Sequence, residues 1–184
     1  MPGKKEQILN WVVLIILVAV RTLRQHLATG LGEINWLGNG LLVVGWVIGH
    51  GLGELDHVFY ALMCNPQELS CTRVRGEIAN RRWRSAWRML KETEAERTRL
   101  PVHNVLTGLI VAVMAIWVVT SSGSMLASGV ALGLSVRLLL EFWSAADYGK
   151  WYWLFARQFS PKEHDVIKWV WGLLVAVSLV GLAR

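Results

Sequence analysis

The chain is poor in charge. Lysine, arginine, aspartate and glutamate make up only 17% of its 184 residues. A soluble domain carries about a quarter, so an ordinary soluble enzyme is excluded. Cysteine is nearly absent, with Cys64 and Cys71 alone. That excludes a disulfide-rich secreted module, and two cysteines without a second pair make a poor zinc site. Acidic residues are the scarcer sign, 13 against 19 basic ones, for a net charge of +6. A small-residue cleavage site is missing too. Lys4 and Lys5 precede an apolar run from Ile8 to Val20 that ends on Arg21. The run therefore reads as a retained anchor and not as a signal peptide.

What is present is apolar. Hydrophobic residues reach 54% and include 11 tryptophans, with a mean hydropathy of +0.40. That composition excludes disorder and points to an all-α integral membrane bundle. A span takes about 20 residues, so five spans leave room only for short loops and one polar segment. Residues 1–64 hold spans one and two, 65–101 a basic amphipathic helical segment, and 102–184 spans three to five.

Thirteen apolar residues are too few to cross, so span one is expected to continue through Arg21 and Arg24 to about Ala28, broken by Gly30 and Gly32. Span two is expected from Asn35 to Met63 and carries Gly45, Gly49 and Gly53 on one face, a seam for close helix contact. Asn65, Pro66 and Glu68 form a capping-box start to the polar segment. Within it a basic helix over 72–92 places Trp83, Ala86, Trp87 and Leu90 at i, i+3, i+4, i+7. Span three is expected over 102–120. Span four, over 125–146, carries the second pair, Gly129 and Gly133. An aromatic interfacial stretch, 147–159, leads to a capping box of Ser160 and Glu163 before span five, 165–182.

With the N-terminus inside, 14 of the 19 cations fall on the inner side. They are Lys4, Lys5, nine within 65–101 (among them Arg97 and Arg99), Lys150, Arg157 and Lys162. The outer segments carry Arg184 alone. The expectation is a bacterial inner-membrane protein with its N-terminus inside and C-terminus outside. Cys64 and Cys71 then face the cytoplasm, where thiols stay reduced, so no disulfide is expected.

Charges within spans are costly and rarely face lipid. His50, Glu54 and His57 share a face of span two, while Arg137 and Glu141 lie one turn apart on span four. Counted at about 1.5 Å per residue from the outer ends, the two sets come level. We therefore expect one buried cluster of His50, Glu54, Arg137 and Glu141, with Arg21 as a further cation. A second concentration gathers at the inner span ends: Asp56, His57, His103, Asp147, His164 and Asp165. No cofactor is required, but His57, His103, Asp147 and His164 are the candidate ligands for a divalent metal. Arg21 and His26 match an R-x4-H pattern of RNA-cleaving domains, rejected because RNA would not reach it there. Arg81, Arg82, Trp83, Arg84, Trp87 and Arg88 form a face that lies on the anionic leaflet, packs against the inner ends of the spans, or binds a cytoplasmic protein partner. Interleaved glutamates argue against nucleic acid.

The stretch LPVHN from Leu100, the run TSSGSMLASGVALGLSVRLLLEFW ending at Trp143, and LDHVFYALMCNP from Leu55 carry a resemblance. The chain resembles uncharacterised small multi-span membrane proteins of streamlined bacterial genomes over about two-thirds of its length. Relatives carry a span-four pattern G-x-x-x-H-L-x-x-D, similar to membrane-bound metal-dependent hydrolases. Here the positions read Gly133, Arg137, Leu138 and Glu141, and arginine does not ligate metal. The leading expectation is an oligomeric ion or solute conduit, or a subunit of one. In it Glu54 and Glu141 are titratable acids, His50 a proton relay and Arg137 the counter-charge. The alternatives are a membrane scaffold acting through 65–100 and a metal-dependent membrane hydrolase.

Overall fold

The computed structural model describes residues 4–29, 35–63, 69–93, 100–157 and 159–183. Among these residues every regular element is helical. In chain order they are α1 (Lys4–Thr29), α2 (Trp36–Leu52), α3 (Leu55–Met63), α4 (Leu69–Ala79), α5 (Trp83–Glu92), α6 (Val105–Ser121), α7 (Met125–Ser144) and α8 (Pro161–Ala183), with a 3-10 turn at Tyr148–Tyr152 before α8. The breaks at Gly30 and Gly32, the cap at Asn65, Pro66 and Glu68, and Cys64, Arg97, Arg99 and Arg184 lie outside the described residues.

Among the described residues three helices are long and apolar enough to cross a membrane: α1, α7 and α8. α2 and α6 have 17 residues each, about 25 Å at 1.5 Å per residue against a hydrocarbon layer of about 30 Å. The expected second span is not one helix, because it breaks at Gly53–Glu54 into α2 and α3. The third starts late because Asn104 caps it, its side chain accepting from Thr107 N at 2.8 Å. Spans four and five follow the sequence reading more closely. Ser124 caps α7, and Ser160 with Glu163 form the expected reciprocal box.

α7 is the core helix. Its apolar window is 56% buried, against 17% for α1 and 22% for α8. α2 runs parallel to it along a two-sided glycine seam. A Cβ on Gly45 would meet the Leu126 carbonyl, and one on Gly49 the Val130 carbonyl. From the other side, Gly129 faces the Leu42 carbonyl and Gly133 that of Trp46. The glycine spacing thus brings two backbones together, as small-residue seams do between spans. α6 meets α8 where Gly108 leaves room for the Trp171 ring. α1 is fastened by polar contacts. Trp46 Nε1 donates to Asn10 Oδ1 at 2.6 Å, Asn39 Nδ2 to Thr22 Oγ1 at 3.2 Å, and Arg21 Nη1 to the Leu182 carbonyl at 3.2 Å.

The basic segment forms two helices where one was expected. Arg81 takes a left-handed conformation, φ +56°, and turns the chain between α4 and α5. Ala86 and Leu90 are buried as the helical spacing implies, but Trp83 stays 63% exposed. Cys71, fully buried in α4, is disulfide-bonded, contrary to the expectation of reduced thiols. That expectation rests on compartment alone. The N-terminus of α1, the α3–α5 unit, the 100–104 turn and residues 145–157 gather at one end of the bundle, where Trp153 Nε1 donates to the Leu100 carbonyl at 3.1 Å. The C-terminal ends of α1 and α8 meet at the other.

Candidate functional site

The site grows from the break in the second apolar run. In an unbroken α-helix Glu54 N–H would bond the His50 carbonyl, four residues back. It donates to Gly51 O instead, at 3.0 Å. The His50 carbonyl then accepts from Arg137 Nη1, across the α2–α7 seam. Gly53 makes room for this, since a Cβ there would strike the guanidinium. The helix break and the arginine therefore satisfy each other, as buried polar backbone requires.

Arg137 uses its other donors on carboxylates. Nη2 bonds Glu54 Oε1 at 2.9 Å and Nε bonds Glu141 Oε1 at 2.8 Å. Glu141 Oε2 then contacts His103 Nε2. His103 Nδ1 lies 2.5 Å from Asp56 Oδ2. Asp56 is itself held by two backbone donors, Val102 N at 2.7 Å and His103 N at 3.0 Å. At the other end, Glu54 Oε2 lies 3.1 Å from His57 Nε2. The result is one continuous chain: His57, Glu54, Arg137, Glu141, His103, Asp56. It joins α3, the α2–α3 break, α7 and the turn ahead of α6. Arg137 is 4% exposed, whereas Glu54, at 30%, is the most exposed side chain of the six.

Three carboxylates face one permanent cation in this chain. With both histidines neutral its formal charge is −2, and two bound protons bring it to zero. His103 sits in the 100–104 turn, outside the helices. Burial alone would lower its pKa, but bonds to Asp56 and Glu141 outweigh burial and raise it to about 9. A charged histidine between two carboxylates is the arrangement that keeps buried charge compensated.

The two polar concentrations read separately from sequence are thus one. Glu54, Arg137 and Glu141 belong to it as expected, and His57, His103 and Asp56 come in from the second set. His50 contributes its carbonyl; its ring lies 5.6 Å from Trp11, with Nδ1 buried and unbonded. Arg21 is at the opposite end of the bundle, on the Leu182 carbonyl. His57, His103, Asp147 and His164 are not brought together. Asp147 caps the 3-10 turn by accepting from Gly149 N at 3.0 Å. His164 bonds the Tyr152 hydroxyl at 2.9 Å and stacks on Tyr148. Among the described residues no group of three or more histidine, cysteine or acidic side chains is arranged to hold a metal ion. Sequence reasoning missed Asn10, the buried acceptor for Trp46; a lone amide inside the first apolar run was the available signal.

Arg137 stands where the hydrolase-like pattern has histidine, and it binds carboxylates there. No family model matches the chain, and no curated protein or solved structure is significantly similar to it.

Proposed function

We propose that the chain is a five-span protein of the cytoplasmic membrane, N-terminus inside, which binds and passes protons as an oligomeric conduit or a subunit of one. The observation that carries this reading is the continuous ionic chain from half-open Glu54 to buried Glu141 and His103. Three carboxylates, two histidines and one arginine form a set whose charge balance depends on bound protons. Ionisable groups buried among apolar helices are the usual material of proton relays. Glu54 is the entry acid, Glu141 and His103 the inner relay, and Arg137 the fixed counter-charge. The orientation is supported by the basic residues, since Lys4, Lys5, Lys150, Arg157, Lys162 and the arginines of α4 and α5 belong to the elements of one end. The oligomeric reading is supported by the closed α2–α7 seam, which leaves no path between those two helices. A path past Glu54 has to run along the outer side of α2, which a second copy would wall.

The test is proton flux into proteoliposomes loaded with a pH-sensitive dye, under imposed pH and voltage gradients. The expected result is flux by the native chain that Glu54→Gln abolishes. Absence of flux under every gradient overturns the reading.

A further inference from the structure

The turn between α4 and α5 carries charge that the ionic chain does not use. Arg81, Arg82, Arg84 and Arg88 line a cleft of about 610 Å³ together with Trp83 and Ser85. All four arginines are exposed. Among the described residues one carboxylate pairs with any of them, Glu77, 3.8 Å from Arg82. Four cations less one anion leave +3 around a single depression. The left-handed Arg81 folds the chain back, and Arg84 and Arg88, one turn apart, share a face of α5. α5 also begins here without a side-chain cap on Arg82, so its first N–H groups add positive potential at the same place.

The setting selects among anions. Trp83 rises from the cleft 63% exposed. α5 is held against α3, the continuation of α2, by Trp87 packing edge-on to His57 at 5.4 Å. An indole among guanidinium groups, beside the ends of membrane helices, is the chemistry of a headgroup surface.

We infer that this cleft binds the phosphate of an anionic phospholipid headgroup in the leaflet adjoining α3. Guanidinium forks hold the phosphate oxygens, and Trp83 enters the acyl boundary beside them. The inference rests on the membrane-protein reading and is independent of conduction.

The experiment is native mass spectrometry of the full chain in detergent, titrated with phosphatidylglycerol or phosphatidylcholine. Phosphatidylglycerol should be retained well above phosphatidylcholine. Arg84→Gln/Arg88→Gln should weaken its retention roughly thirtyfold, taking the usual contribution of each basic residue at an anionic surface. Lys4→Gln/Lys5→Gln, which removes the same charge elsewhere, should leave it unchanged, and circular dichroism confirms that both variants stay helical. Equal retention of the two lipids overturns the inference. So does an equal loss in the Lys4/Lys5 variant, which would mean diffuse charge only. Complete displacement of the lipid by millimolar inorganic phosphate would assign the cleft to a free anion and also overturn it. A chain that stays dissolved without detergent would instead overturn the membrane reading beneath it.

Discussion

Replacing Arg137 by methionine removes the one permanent cation from a chain that holds three carboxylates. The side chain keeps most of its volume, so the change is mainly electrostatic. Three acceptors lose their donor at once: Glu54 Oε1, Glu141 Oε1 and the His50 carbonyl. Breaking a buried ion pair from one side costs about 3–5 kcal/mol. Glu54, at 30% exposure, recovers part of its hydration, so Glu141 carries most of the loss. For a chain of this length each kcal/mol lowers the melting temperature by about 2–4 °C, giving a fall of roughly 10 °C. Thermal unfolding in detergent, followed by circular dichroism, reads it directly. Arg137→Met/Glu141→Gln should then recover about 1–3 kcal/mol, because the orphaned carboxylate is gone. Arg137→Lys should fall between native and methionine, since one ammonium cannot present the fork that reaches three acceptors. If Arg137→Met unfolds within about 0.5 kcal/mol of the native chain, inside the range of neutral surface changes, the ionic chain is not a structural unit and the reasoning fails.

The histidine in that chain sets a pH dependence. Its two carboxylate partners hold the folded His103 pKa at about 9, above the ordinary histidine value of about 6.5. Its stabilisation is therefore full below pH 6.5 and is lost as pH rises through about 9, on the order of 3 kcal/mol by linkage. Melting temperatures measured from pH 6 to 10 should fall across that window and flatten in His103→Gln; a rise with pH would contradict the geometry. The glycine seam supplies a second contrast. Gly49→Ala should cost about 1–3 kcal/mol through overpacking against the Val130 carbonyl. Gly51→Ala, where an added Cβ meets nothing within 4 Å, should be neutral or gain about 0.5–1 kcal/mol of helix propensity. Equal melting temperatures for the two variants would remove the seam as an explanation of α2–α7 pairing.

Much of the bundle was legible because the information is local. Glycine at i, i+4, i+8 on one run and i, i+4 on another announces two faces able to meet. Their level pairing follows from rise per residue alone, and Gly45, Gly49, Gly129 and Gly133 meet that way. Ser160 and Glu163 are a cap readable from four letters. The break at Gly53–Glu54 was not legible. Hydropathy stays high through Leu52 and Leu55, and what stabilises the break is Arg137, 84 residues later in the chain. The same long range hid the union of the two polar sets. Asp56 and His103 are 47 positions apart and meet only because the 100–104 turn folds over α3. The sequence marks out His50 by its imidazole, yet its carbonyl makes the contact; residue type cannot say which atoms of a residue a helix break will free. Arg21 was grouped by charge sign, but its depth on α1 places it at the far end.

The shortness of α2 has a consequence for the bilayer itself. In the proposed five-span arrangement, α2 and α6 offer about 25 Å of helix beside α1 and α8, which are 26 and 23 residues long. A protein with two short walls and two long ones does not meet a flat slab of lipid. Mismatch of a few ångströms is relieved by tilting the long helices and by thinning the lipid beside the short ones. Thinning would fall where α2 stops, at His50, Glu54 and the turn holding His103. The interface would then come down to the ionic chain. Hydration of Glu54, and with it the ease of exchanging its proton, would follow the thickness of the surrounding membrane.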